Sequence, residues 1–509
     1  MIAAKRKATS TKAPKKVKTL RFGTLQSHPF GVQPFGNALF GDSTQSANRT
    51  TGLGSLSVLD DGALLSLLLS NGEILNDHDL FRLVRCSKAL YVLCNHEEVW
   101  RSRTIERFKG SFGAFANSWK NTYKTRLHLE RSDMELVLDI PIKVGFYSDY
   151  LFSSWRCSSI PLDVLCRVNA YDNIDRRHGL SLQQFIDEYD APGKPVILTD
   201  VVTQWPAFGK WDMDYLEKTV GDIEFRAESV DLPFKTYAAY ARHCRENGGS
   251  FEEAPLYLFD KYFSKRTDLC NDFNVPEYFS QDLFHLLGAN ERPDYRWIII
   301  GPPRSGSTYH LDPNSTSAWN AVITGSKKWL LFPPDCIPPG VFPSADGSEV
   351  TTPISLAEWF LNHYDEMKGW PVKPIECICR AGEILYVPRG WWHCVMNIEE
   401  SIAITQNFVN DCNLKEVLRF VREKPDQVSG YGSGEKACQL ANSLYSRFSA
   451  AIEKVRPGVV EQEIESSGSR KSVNEDNIDK ESQPTNSIAS LFAPPLLEES
   501  DGSSFRFSF

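Results

Sequence analysis

Two stretches of this chain hold side chains able to grip a metal ion. The first, WIIIGPPRSGSTYHLDPNSTSAWNAVITGSKKWLLF (297–332), carries His310-x-Asp312 at the start of an apolar, alternating run. The second, EILYVPRGWWHCVMN (383–397), carries His393 at the end of another. Two histidines and one carboxylate form the set that holds non-haem iron(II) and leaves coordination positions open. In a strand, residues i and i+2 point to one face, so His310 and Asp312 can share an ion. His393 must then arrive on a different strand.

The same triplet pattern occurs elsewhere, and its context differs. His96-Glu97-Glu98, His128-Leu129-Glu130 and His363-Tyr364-Asp365 all lie in stretches with helical spacing. In a helix, positions i and i+2 stand roughly 200° apart and cannot share a metal. Only His310-x-Asp312 has a strand around it.

The elements that must position these residues are short strands. RWIIIG, SAWNAVITG, KKWLLFPP, EILYVPRG and SIAITQNFV are β-branched or aromatic, and Gly, Pro, Asn and Ser separate them. Upstream, SLQQFIDEY, DYLEKTVG and TYAAYARHCRENGG are helical, while KPVILTDVV, IEFRAESV and PLYLFD read as strands. Many short strands with turns predict a mainly β core, a jelly-roll or double-stranded β-helix with flanking helices, over residues 166–410.

The rest of the chain divides around that core. At 509 residues it is long enough for two or three domains. Residues 1–54 are a polar tail and linker, expected to be disordered, whose first 18 residues hold seven Lys or Arg and no acid. The runs Lys5–Lys7 and Pro14–Lys18 fit a nuclear-import signal. Residues 55–110 read as three short helices, with Asp77 or Asp79 as the second helix's cap. Residues 111–165 are an aromatic-rich connector. Residues 411–456 hold two helices, the second with Leu440, Leu444, Phe448 and Ile452 on one stripe. Residues 457–509, rich in Ser, Glu, Asn and Asp, are expected to be disordered. A net charge of −9 argues against a nucleic-acid coat, and no apolar run reaches membrane-spanning length. The twelve cysteines form no C-x-x-C pair, which disfavours a zinc ribbon and fits a reducing setting.

Three open positions on iron suit a 2-oxo acid, which takes two, and dioxygen, which takes one. A dicarboxylate co-substrate then needs a buried cation for its distant carboxylate. Lys327 and Lys328 offer one on adjacent positions, one facing in and one out, and spacing does not choose between them. In SIAITQNF, Ala403, Thr405 and Asn407 share a small, polar face opposite Ile402, Ile404 and Gln406. Such a face suits a polar pocket inside a barrel.

GPPRSGSTYHLDPNSTSAWNAVITGSKKWLLFP, VPRGWWHCVMN and IAITQNF together resemble the cupin-like JmjC domain of the jumonji domain-containing protein six group of iron(II) and 2-oxoglutarate oxygenases. The resemblance covers about half the chain. It implies iron ligands at His310, Asp312 and His393. It implies 2-oxoglutarate contacts at Lys327, Thr405 and Tyr257, and a polar shell completed by Asn320 and Asn407. Where the family commonly has Thr-Gly-x-His, this chain reads Ser307-Thr308-Tyr309-His310. Ser307 keeps the hydroxyl, and Tyr309 is placed to narrow the entrance. Trp391 and Trp392 fit barrel packing and substrate contact equally.

Residues 55–110 resemble a small all-α F-box domain: a leucine-rich first helix, DLFRLVRCSKAL, then Trp100-Arg101. The common Leu-Pro start is replaced by Leu56-Ser57-Val58-Leu59. With the JmjC resemblance, the whole resembles the plant F-box/JmjC proteins grouped with histone arginine demethylases. The expectations are a nuclear enzyme acting on protein side chains, histone tails first, by arginine demethylation. Lysyl hydroxylation by the same chemistry is the alternative. Docking to a Skp1-type adaptor through 55–110, with the barrel as a binding module, is a reading of another class. A zinc or manganese cupin fits the His/Asp/His set but leaves Lys327 without a task.

Overall fold

The alternating runs form two sheets in the computed structural model, which describes residues 28–34, 46–69, 74–127, 146–167, 171–246 and 252–465. The basic runs of the first 18 residues, the His128 triplet and residues 466–509 lie outside the described residues.

Strands are numbered by chain position. The larger sheet has nine, in the order β1 (Arg176–Arg177), β2 (Val196–Leu198), β13 (Ile384–Val387), β8 (Ser317–Thr324), β15 (Ser401–Phe408), β6 (Arg296–Gly301), β5 (Leu258–Asp260), β3 (Glu224–Ala227) and β4 (Val230–Pro233). The smaller sheet runs β12 (Ile375–Arg380), β9 (Ser326–Phe332), β14 (Trp392–Asn397) and β7 (Gly306–His310). A two-stranded hairpin of β10 (Phe342–Pro343) and β11 (Val350–Thr351) sits in the connection from β9 to β12. Crossing between sheets along the chain is what a jelly-roll core requires. All seven residues of β9 are buried, as expected for a strand covered on both faces.

Besides the two-residue strands β1, β10 and β11, two strands escape the sequence reading. IEFRAESV turns into a hairpin at Glu228, adding β4. IECICR is β12: Cys377 and Cys379 face an apolar cluster with Trp329 and Leu331, while Glu376 points the other way. Its alternation is regular but mixes cysteine with a charged residue.

The helical N-terminal region has more pieces than expected. After α1 (Ser46–Leu53) come α2 (Asp61–Leu69), α3 (Asp77–Leu83), α4 (Lys88–Cys94) and α5 (Glu97–Phe108), so 55–110 holds four α-helices, not three. Neither Asp77 nor Asp79 caps α3. Asn76 does, accepting from the Asp79 amide at 3.1 Å while the Asp79 carboxylate accepts the Asn76 amide at 3.2 Å. This reciprocal box satisfies two otherwise orphaned donors. Asp77 instead pairs with the buried Arg103 at 3.2 Å, and Arg103 also donates to the Leu68 and Leu75 carbonyls.

These helices pack on the barrel. Arg101 donates to the Ala254 carbonyl at 2.6 Å and pairs with Glu228 at 2.8 Å. From the connector, Trp119 at the start of α6 (Trp119–Arg126) donates to Glu252, and Phe115 meets Tyr240 edge-on at 5.2 Å. Farther on, α7 (Asp149–Ser159) receives the buried Arg304, whose guanidinium donates to the Cys157 carbonyl at 2.8 Å and to that of Ile160. An apolar core runs without a break from Leu64 and Leu80 to Ile298 and Phe408.

Both expected tails are partly ordered. Val32 is buried and Gln33 bridges to Tyr147, so 1–54 is not wholly a loose linker. Beyond α8 (Leu414–Glu423), the helix expected over 435–455 breaks at Ser443 into α9 (Glu435–Asn442) and α10 (Leu444–Val455). Leu444, Phe448 and Ile452 bury against Phe284 and Leu418, on the barrel side. The chain then turns helical again to residue 465, where the buried Glu463 meets Arg419 at 3.3 Å and also pairs with Arg422. Disorder from 457 therefore does not hold for its first nine residues. No single helix among the described residues is long and apolar enough to cross a membrane.

Candidate active site

The cavity lies between the two sheets. On β7, strict alternation cannot aim both Ser307 and His310 inward, since they are three apart. The pairing with β14 explains how both line the cavity. His393 stands opposite His310 and Val395 opposite Ser307, so two residues of β7 face one of β14. This β-bulge at Thr308–Tyr309 resets the phase of the strand. His310 is the last residue of β7. Asp312 lies just beyond it, not in the strand as expected, but its extended backbone (φ −62°, ψ 141°) keeps the i, i+2 relation. His393 is near the start of β14, after the turn that leaves β13, rather than at the end of a strand.

The result is a compact donor set. One ligand atom each from His310, Asp312 and His393 lies within 4.8 Å of the others. The Nδ1 of His310 sits 2.7 Å from the Thr308 carbonyl and that of His393 2.9 Å from the Trp391 carbonyl. A carbonyl can only accept, so Nδ1 carries the proton and Nε2 the lone pair. Burial pushes both histidines down to about 4, with the neighbouring ring adding to the effect at His310. Burial lifts Asp312 to about 6, against the pull of His310 and an Asn407 amide at 3.2 Å from Oδ1. Its Oδ2 is buried without a hydrogen-bond partner. Neutral histidines with aligned lone pairs and an unanswered carboxylate oxygen fit a divalent cation.

The other expected residues cluster beside this set. Tyr257, Ser307, Asn320, Thr405 and Asn407 line the same cavity. Asn320 and Thr405 pair across β8 and β15. The Asn320 Oδ1 is buried without a partner, and the Thr405 hydroxyl donates to the Trp319 carbonyl at 2.9 Å. Asn407 reaches both Asp312 and, at 2.8 Å, Thr316. Lys327 sits one layer deeper, fully buried, its Nζ 3.1 Å from the Tyr257 hydroxyl that lines the cavity. Burial lowers its ammonium to about 7, the nearby Cys379 opposing slightly.

One expectation, at Tyr309, needs correction, and two readings left open are decided. Lys328 does not face solvent: it is buried on the opposite face of β9, 2.5 Å from Glu376, whose carboxylate also accepts from Tyr364 at 2.8 Å. Tyr309 does not narrow the entrance, because the bulge turns it into an apolar cluster with Phe332 and Trp359. Trp392 is buried in that cluster, and Trp391 donates to the Gly193 carbonyl at 2.9 Å, so both pack the barrel.

One residue was missed. Asn397 closes β14, is fully buried, and accepts from Lys327 at 2.8 Å. Its sequence signal is a lone amide ending an apolar run, and its partner lies 70 residues away.

A family model described as a cupin-like domain matches residues 182–413. An Arabidopsis thaliana protein named arginine-specific demethylase JMJ22 is 47% identical over 446 residues, covering 86% of this chain and 84% of its own. The Caenorhabditis elegans protein named bifunctional arginine demethylase and lysyl-hydroxylase psr-1 is 36% identical, over 48% of this chain and 63% of its own. The Gallus gallus protein named 2-oxoglutarate and iron-dependent oxygenase JMJD4 is 30% identical, over 50% and 64%. The chain spans a little under two thirds of the length of these last two.

Proposed function

The chain belongs to the JmjC family of cupin-like oxygenases, and from that premise we propose that it is an iron(II)- and 2-oxoglutarate-dependent oxygenase that demethylates arginine side chains of histone tails. One arrangement carries the oxygenase reading, a His/Asp/His donor set within 4.8 Å and a buried ammonium on the same sheet at Lys327, and the likeness to the protein named arginine-specific demethylase JMJ22 supports arginine as the substrate. Iron(II), when bound, supplies the oxidative step, in which dioxygen and 2-oxoglutarate are consumed, succinate and carbon dioxide leave, and a C–H becomes C–OH. On an N-methyl group the hydroxymethyl product loses formaldehyde and leaves the N–H.

The chain's own residues have distinct tasks in this reading. His310, Asp312 and His393 hold the metal. Asn407 turns Asp312 toward it through Oδ1, leaving Oδ2 as the donor. Lys327 and Tyr257 receive the distal carboxylate of 2-oxoglutarate, which compensates a buried cation, and Thr405 joins them when its hydroxyl turns away from the Trp319 carbonyl. Asn320 and Ser307 offer polar atoms to the ligands between them. The buried sheet faces exclude water, so a reactive intermediate is not lost to solvent.

The test is mass spectrometry of methyl-arginine and methyl-lysine histone peptides incubated with full-length protein, iron(II), 2-oxoglutarate and ascorbate, beside His310→Ala. Loss of one CH₂ per methyl-arginine, with formaldehyde released and neither seen in the variant, supports the reading. Gain of one oxygen on an unmethylated lysine makes the protein a lysyl hydroxylase. Loss from methyl-lysine alone moves the substrate to lysine.

The N-terminal helices carry a separate proposal, an F-box that docks a Skp1-type adaptor. Val58 and Ile74 stand exposed at 86% and 64%, apolar side chains on the outer part of this unit. Copurification of the adaptor with wild type but not with Val58→Asp and Ile74→Asp tests it. Nuclear import through Lys5–Lys7 and Pro14–Lys18 is tested by the location of a fluorescent fusion with and without those residues.

A further inference from the structure

Lys327 has three protons to place and two fixed acceptors, so what fixes those acceptors decides where the third proton points. One acceptor is the Tyr257 hydroxyl at 3.1 Å and the other the Asn397 Oδ1 at 2.8 Å. Asn397 stands directly opposite Lys327 in the β14–β9 register, which puts both side chains on one face.

The orientation of the Asn397 amide follows from its neighbours. The Ser305 hydroxyl donates to the Pro302 carbonyl at 2.6 Å, so toward Asn397 it can only accept, and it takes Nδ2 at 2.8 Å. That leaves Oδ1 facing Lys327, with the Ser401 hydroxyl donating into it at 2.7 Å. The backbone is pinned as well. The Asn397 amide donates to the Ser305 carbonyl at 2.8 Å, and the Arg304 amide donates to the Asn397 carbonyl at 2.9 Å. Gly301 makes the space, since a Cβ there would run into the Ser305 hydroxyl, the Asn397 amide and the Tyr257 ring.

We propose that Asn397 is a positioning residue for the co-substrate: its amide, locked by Ser305, holds the Lys327 ammonium charged and leaves one N–H for the distal carboxylate. This rests on the reading of Lys327 as the carboxylate anchor. The titratable groups facing Lys327 are the Tyr257 hydroxyl and, in register on β12, the Cys379 thiol. Burial pushes both upward, so neither supplies a negative charge. A neutral acceptor that favours the ammonium without competing for it suits a site that must exchange a dicarboxylate.

The experiment is calorimetric titration of 2-oxoglutarate into full-length protein loaded with manganese(II), a redox-silent substitute. It is run from about pH 6 to 9 in buffers of different ionisation enthalpy, so that protons taken up are counted. Wild type is expected to weaken about tenfold per pH unit above the Lys327 midpoint and to take up one proton there. Asn397→Leu removes the acceptor at similar size. Its affinity should fall about tenfold or more, with the weakening setting in at lower pH. Asn397→Asp adds a charge, and its weakening should set in at higher pH. A purely structural role would move both variants the same way, and that result overturns the proposal. Should Asn397→Leu fail to fold, Ser305→Ala unlocks the amide from outside. A several-fold affinity loss is then expected, and unchanged affinity overturns the proposal. Lys327→Met separates the two levels: if it leaves 2-oxoglutarate affinity intact, the anchor reading itself fails.

Discussion

His393 faces His310 in register across the β14–β7 pair, with ring centroids 4.2 Å apart. A regular strand would not give this together with an inward Ser307; the bulge at Thr308–Tyr309 does. Each of the two lone pairs is set by a backbone carbonyl two residues earlier in the chain, so the donor set is built before any ion arrives.

Removing any one donor should therefore abolish metal retention without unfolding the chain. His310→Ala, Asp312→Ala and His393→Ala are expected to lose iron affinity by more than ~100-fold, beyond what a supporting partner costs. Melting temperatures should stay near wild type, because the histidines are buried neutral and Asp312 is a buried acid that gains little from the fold. Metal content after dialysis and manganese-binding titrations check this.

Lys327 and Lys328 are neighbours with opposite consequences. Lys328→Met leaves the Glu376 carboxylate buried without its cation, which typically costs about 3–5 kcal/mol. The pair Lys328→Met with Glu376→Leu should recover most of that loss. Lys327→Met removes a buried ammonium that meets only neutral partners, Tyr257 and Asn397. Stability should be unchanged or higher, while KM for 2-oxoglutarate rises by about two orders of magnitude, as for loss of a charge-assisted contact. Urea unfolding and succinate formation separate the two.

What the sequence made legible follows from how each signal is encoded. His310-x-Asp312 stood out because strand context distinguished it from three helical triplets, and the polar face of Thr405 and Asn407 could be read from period two alone. The pair Lys327-Lys328 could not be resolved, since adjacent lysines usually mark an exposed hairpin and here both faces of β9 are covered. Tyr309 was misplaced because a bulge has no composition signature without its partner strand. Asn397 was invisible for a related reason: its meaning depends on Lys327, Ser305 and Ser401, which only the register assembles. Helix capping at Asn76 was a near miss of one residue, decided by which side chain reaches the third amide.

Tyr309 gives a test of the bulge itself. Its ring packs 4.9 Å from that of Trp359, and its buried hydroxyl has only the weakly bonding Cys394 thiol beside it. Tyr309→Phe removes a poorly satisfied polar group and should leave stability within about 1 kcal/mol of wild type. KM for 2-oxoglutarate and for a peptide substrate should not move. A rise in the peptide KM would put Tyr309 back at the entrance.

The junction between α5 and α6 should respond to pH through Glu97. Its carboxylate accepts from the Trp119 amide at 2.8 Å, at the start of α6. Burial lifts it from 4.5 to about 7, with Glu252 nearby adding to the rise, while the Trp119 amide, His96 and Lys120 oppose it. An acid whose folded value is raised binds protons more tightly in the folded state than in the unfolded one. Its favourable contribution is therefore full below about pH 4.5 and is lost as pH climbs to about 7. The side chain is only partly buried, so solvent screening reduces the full linkage value, and a loss of about 2 kcal/mol across that window is expected. Glu97→Gln keeps a carbonyl oxygen for the Trp119 amide and has no proton to lose. The variant should match wild type at acidic pH and exceed it above about pH 7, by that same amount. Urea unfolding of both proteins across the range measures the difference. A gap that stays constant with pH would show that Glu97 titrates alike in the folded and unfolded chain, and that the α5–α6 junction carries no proton-linked term.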